Sequence, residues 1–180
     1  IAVTDEGIDL LRERDTCVAH NPESNMNNAV GCARILDMHK KGVLVALGTD
    51  GYTSDILESY KAAPIFQRHH AGDPSIGFME TADMLLFGNA EVAGRSFDRP
   101  LGVLREGAYG DVIVVDYDPP TPLRDDNQIG HLLFGFTGRM VDTTVCGGRV
   151  LMRNREIVTA DAPALFARAR EVAARLWQRI

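Results

Sequence analysis

Residues 42–51 read Gly-Val-Leu-Val-Ala-Leu-Gly-Thr-Asp-Gly. Val43 to Leu47 are consecutive apolar residues without polar alternation, which predicts a strand buried on both faces, as in a parallel sheet covered by helices. Gly48 and Gly51 bracket the end of that strand, so the chain turns sharply there and presents Asp50. A shorter run, Thr16 to Ala19, predicts a second strand. It leads through the polar stretch His20 to Asn28 into a helical pattern from about Ala29 to Lys41, with Ile35 and Met38 inward and Gly42 as the stop. Strand, loop, helix and strand in that order make a βαβ unit with parallel strands.

Thr4-Asp5-Glu6 predicts a capped helix start, with Ile8 and Leu11 on its apolar stripe. A helix beginning near Ile56 carries Leu57, Tyr60 and Ala63 on one side and is expected to break at Pro64. Met79 to about Phe97 reads as one or two helices. From Arg99-Pro100 onward helical periodicity gives way to short strands. Val112 to Val115 is one, followed by a proline-rich stretch unfit for a sheet interior. Val141 to Val145, the Gly147-Gly148 turn, Val150 to Met152 and Ile157-Val158 predict a meander. Asp161 and Pro163 open a final helix striped by Leu165, Ala169, Val172 and Leu176.

Composition narrows the function classes. A net charge of −6 over 180 residues, without long like-charge runs, argues against nucleic acid or an anionic membrane as partner. No apolar run approaches the length of a membrane span. The three cysteines, at 17, 32 and 146, have neither metal-finger nor CxxC spacing, and their odd number suits a reducing cytoplasm. His69 and His70 are adjacent, point apart, and lack a third ligand nearby.

Parallel strands release His20 and Asp50 at the same rim of the sheet, on neighbouring strands about 4.8 Å apart. An imidazole and a carboxylate at the C-terminal ends of buried strands predict an active site. Each alone has a plainer reading, as a turn-capping acid and a hydrogen-bonded core histidine. Asn21, Ser24 and Asn25 either pin the loop backbone or contact a substrate.

His20-Asn-Pro-Glu-Ser-Asn25, together with the Gly42–Gly51 stretch, resembles strands seven and eight of the amidohydrolase superfamily, in its aminohydrolase and chlorohydrolase branch. Gly102 to Asp116 is similar to the segment re-entering that family's small β-sandwich, with Gly110 where the family usually has Ala. Within the branch, Asn21–Gly31 and Gly48–Thr53 look most like SsnA-like aminohydrolases. The resemblance implies an α/β fold comprising only the C-terminal part of a (β/α)8 TIM barrel. Residues 1–99 would hold strands 7 and 8 with their helices, 100–160 part of the β-sandwich, and 161–180 a C-terminal helix.

It also implies a zinc- or iron-dependent hydrolase acting on C–NH2 or C–Cl bonds of purine-, pyrimidine- or triazine-like heterocycles. Asp50 would be metal ligand and proton shuttle. His20 would contact or support the substrate, and Asn21, Ser24 and Asn25 would bind it. The family's metal centre also takes a His-x-His pair and two further histidines, and no His-x-His occurs here. The chain also begins with Ile. The expectation is therefore a fragment, inactive alone, whose partners are an upstream barrel segment and further copies of itself. The alternative is a non-catalytic structural or association module in which His20 and Asp50 are relics.

Overall fold

The computed structural model describes residues 2–179, so the ends of the predicted segments 1–99 and 161–180 lie outside the described residues. Helix α1 (Asp5–Glu13) is capped by Thr4, whose hydroxyl oxygen accepts from the Gly7 N–H at 3.1 Å. Asp5 and Glu6 occupy its first turn, where carboxylates meet the positive end of the helix dipole. Strand β1 (Val18–His20) follows.

The polar stretch beyond β1 is not a loop but a short helix, α2 (Pro22–Asn27). Pro22 starts it because its fixed φ suits a first turn and its missing N–H is not needed there. The helix predicted from Ala29 begins late. Ala29 and Gly31 hold positive φ angles of 51° and 96°, which a right-handed helix does not admit, so α3 spans only Ile35–Lys40.

Strand β2 (Val45–Leu47) pairs with β1 in parallel, in the register Val18↔Val45, Ala19↔Ala46 and His20↔Leu47. Side chains alternate across a sheet, so Val18, His20, Val45 and Leu47 share one face. Val45 and Leu47 belong to a core with Ile8, Ile35, Met38, Tyr60 and Met84, and Val18 packs against it. Each such apolar side chain contributes about 1.5–3 kcal/mol on burial.

Helix α4 (Ile56–Ala71) is capped by Asp55, which accepts from the Leu57 N–H at 3.0 Å, and stops at Gly72 in the left-handed region. The break predicted at Pro64 does not occur. Pro64 is buried within α4, and the fully buried Tyr60 and Ala63 beside it anchor the turn whose donor it removes. Helix α5 (Phe78–Asp83), a π-helical turn at Met84–Gly88 and α6 (Asn89–Gly94) follow one another directly. Gly88 presses on β2, where an added Cβ would collide with the Val45 carbonyl oxygen. The Leu47 N–H donates to Asn89 Oδ1 at 2.7 Å.

These contacts correct the expectation of a C-terminal part of a (β/α)8 barrel. No closed barrel forms among the described residues, and the parallel sheet has two strands. Closure requires strand to pair with strand all round. On the edge of β2 away from β1, a helix and a side-chain amide take that place.

Two compact units divide the chain. The first, residues 1–108 and 117–140, holds the elements above, the short helix α7 (Gln128–Gly130) and a second π-helical turn at His131–Gly135. The second, residues 109–116 and 141–180, contains an antiparallel sheet of β3 (Val112–Val115), β4 (Val141–Cys146), β5 (Arg149–Arg153) and β6 (Glu156–Ile157), in that spatial order. The predicted meander is present, turning through Gly147 and Gly148 at φ 56° and 77°. Helix α8 (Ala162–Trp177) is capped by Asp161, and its Leu165, Val172 and Leu176 are exposed.

Candidate active site at the strand ends

Asp50 lies beyond β2 with φ at 51°, a left-handed conformation that costs an L-residue about 1–2 kcal/mol. Its exposed carboxylate is held from two sides. Ser24 Oγ donates to Oδ2 at 2.8 Å, and the Gly51 N–H donates to Oδ1 at 2.7 Å. The Ser24 hydroxyl first, and the Gly51 amide second, hold the Asp50 carboxyl below the ordinary value of 3.8. It is therefore ionised at neutral pH, with both oxygens fixed in direction.

Ser24 is buried, and α2 positions it. Its carbonyl accepts from the Asn28 side chain at 2.9 Å and from the Asn28 N–H at 3.1 Å. The sequence reading missed Asn28 as a support of the site, although the i,i+4 spacing from Ser24 is the signal for it. Ser24, read from the sequence as loop-pinning or substrate-binding, meets Asp50 instead.

His20 does not join this pair. Its register partner Leu47 is a core residue, so the imidazole faces the core side of the sheet while Asp50 projects past the strand end. His20 is 4% exposed, and neither ring nitrogen has a hydrogen-bond partner among the described residues. Burial lowers its pKa from 6.5 to about 4, so the ring is neutral.

Asn21 stands at the start of α2 without capping it through its side chain. Its amide oxygen lies against Gly48, where a Cβ would collide with it. Asn25 is half-buried, and its N–H donates to the Asn21 carbonyl at 3.0 Å. Glu23, between them, has both carboxylate oxygens shielded from solvent and without a partner among the described residues.

A catalytic zinc keeps three protein ligands. Among the described residues no group of three or more His, Cys, Asp or Glu side chains is placed to hold a metal ion. Asp50 already has both oxygens engaged, and His20 faces the core. The residues present do not fit a zinc or iron centre of their own.

A directed carboxylate at the ends of parallel strands under helical cover defines a parallel α/β protein with a strand-end site. The chain belongs to the Amidohydrolase family, whose sequence pattern matches residues 1–151. A protein of Haloarcula marismortui named 5-methylthioadenosine/S-adenosylhomocysteine deaminase is 38% identical over 186 residues, covering 99% of this chain and 42% of that protein. A 5'-deoxyadenosine deaminase of Methanosarcina acetivorans is 35% identical over 181 residues, covering 97% of this chain and 40% of its own length. Among solved structures, an adenosine deaminase from Xanthomonas campestris with bound zinc superposes with a TM-score of 0.83 at 26% identity, covering 98% of this chain and 41% of that one.

The chain thus spans about two fifths of the length of the relatives it matches. The family pattern takes in residues 1–151, most of the chain, which corrects the expectation of a likeness to a C-terminal portion only. The expectations of an inactive fragment and of an upstream barrel segment as partner are corrected to what these matches show, membership of the family over residues 1–151. What stands is membership of the family to which the matched residues belong. Among the described residues no helix is long and apolar enough to cross a membrane.

Proposed function

We propose that this chain binds an amino-substituted heterocycle of the purine-nucleoside type for hydrolytic deamination, with Asp50 as the group that accepts a proton or hydrogen bond at the reacting amino carbon. The observation that carries the reading is the carboxylate fixed between the Ser24 hydroxyl and the Gly51 N–H. Such a group is ionised and directed before substrate arrives, which spares reorganisation during reaction. Family membership and the deaminase names of the relatives supply the substrate class. We assign Asn21 and Asn25 to the substrate ring nitrogens and hydroxyls, Ser24 to holding Asp50, and His20 to supporting the rim from the core side. The thiols of Cys17, Cys32 and Cys146 are free, which supports work in a reducing compartment such as the cytoplasm.

The test is calorimetric titration of the purified chain with 5'-deoxyadenosine and 5'-methylthioadenosine, with ammonia release followed with and without added zinc. Saturable binding that Asp50→Asn abolishes, and that Ser24→Ala weakens but Ser24→Thr restores, is the expected result. A second reading is favoured by the lack of a three-ligand metal set among the described residues. In it the chain is a non-catalytic association module that retains relic site residues. Absence of both nucleoside binding and ammonia release, with zinc present, would decide for that reading.

A further inference from the structure

Away from the strand ends, the first unit contains an open cavity of about 370 Å3. Tyr117, Thr121, His131 and Phe134 line it, and Gly130 and Gly135 flank the histidine. The Tyr117 hydroxyl and His131 Nδ1 are hydrogen-bonded at 2.7 Å. The Tyr117 ring also meets His131 edge-on at a centroid distance of 5.7 Å and Phe136 at 4.5 Å. Gly135 admits this arrangement, since a Cβ there would collide with the phenol. One imidazole nitrogen is thereby committed and the ring held in place, while Nε2 has no hydrogen-bond partner among the described residues.

Asn127 also borders the cavity but engages its amide in the loop, accepting from the Arg124 N–H at 2.8 Å and donating to the Pro122 carbonyl at 2.9 Å. Among the described residues no Asp, Glu, Lys or Arg side chain lines the space. A charged ligand would lose hydration there without gaining a partner. Aromatic walls with few fixed polar groups, and a volume within the range of about 300–1,000 Å3, are the features of small-molecule sites.

We propose that this cavity binds an uncharged, flat aromatic molecule with a hydrogen-bonding ring nitrogen. The ligand seats against the rings of Tyr117 and Phe134, and His131 Nε2 and the Thr121 hydroxyl meet its polar edge. The site is separate from the Asp50 rim and does not depend on the deaminase reading.

Indole and 7-azaindole are the probes, titrated into the full 180-residue chain while the His131 ring resonances are followed by NMR. Saturable shifts of the His131 signals are expected with at least one probe. A Cβ at Gly130 would meet nothing within 4 Å. Gly130→Leu should therefore fill the cavity and weaken binding by about tenfold or more. Thr121→Phe, at an exposed position, fills the same space from the rim and decides the matter if Gly130→Leu does not fold. Tyr117→Phe releases the imidazole and should weaken binding by a smaller factor at an unchanged melting temperature. The proposal is overturned if neither probe gives a saturable shift, or if a folded cavity-filling variant binds as tightly as the natural sequence.

Discussion

His20 and Asp50 are each the residue that the sequence singles out, and the fold treats them differently. Asp50 was legible because glycines on either side announce a turn after a buried strand. The side-chain direction of His20 was not, because it depends on strand register, and a shift of one residue exchanges core for rim. The Ser24 contact was hidden as well. It exists only because α2 folds where a run of asparagines reads as loop.

The burial of His20 has a measurable consequence. Its folded pKa of about 4 lies below the ordinary 6.5, so between those values the unfolded chain binds more protons than the folded one. Stability should therefore be intact above pH 6.5 and fall as pH drops toward 4, by about 3 kcal/mol from this residue. Urea denaturation across that interval should show the midpoint falling, and His20→Gln should flatten the dependence. An equal slope in both proteins would remove His20 as its source.

At the level of elements, βαβ order, parallel pairing and the late meander were readable from apolar runs and turn glycines. Helix limits were less so. Ala29 takes a positive φ that its own propensity disfavours, and Pro64 sits inside a helix because core packing on its flanks outweighs one lost backbone bond. The apposition of Gly88 to Val45 joins residues far apart in sequence and has no local signature. Gly88→Ala should force α6 and the turn before it off β2, costing about 1–3 kcal/mol. Equilibrium unfolding measures this, and a loss below a few tenths of a kcal/mol would show that the contact is not close.

Across the whole molecule, the family was readable from two motifs, whereas the C-terminal part of a (β/α)8 barrel that they implied is corrected to a two-stranded parallel sheet beside a helix, with no closed barrel among the described residues. Motifs report local strand ends and cannot count strands. Stability is also unevenly spread. Among the described residues the buried apolar side chains all lie in the first unit, and the second carries exposed Ile113, Val114, Leu165 and Trp177. Regions with few buried contacts open at lower free energy. Hydrogen exchange should therefore be faster for the amides of β3 to β6 than for those of β1 and β2, and the reverse order would contradict this distribution.

Asn89 carries a last implication, for how the protein stays dispersed. Val43 to Leu47 is short, uncharged and apolar throughout, features of segments that template cross-β fibrils when an edge lies bare. One carboxamide on the Leu47 N–H, with a helix laid against the backbone beside it, acts as the gatekeeper. Asn89→Leu should unlatch it, and thioflavin fluorescence on prolonged incubation should then rise in the variant well before it does in the natural sequence.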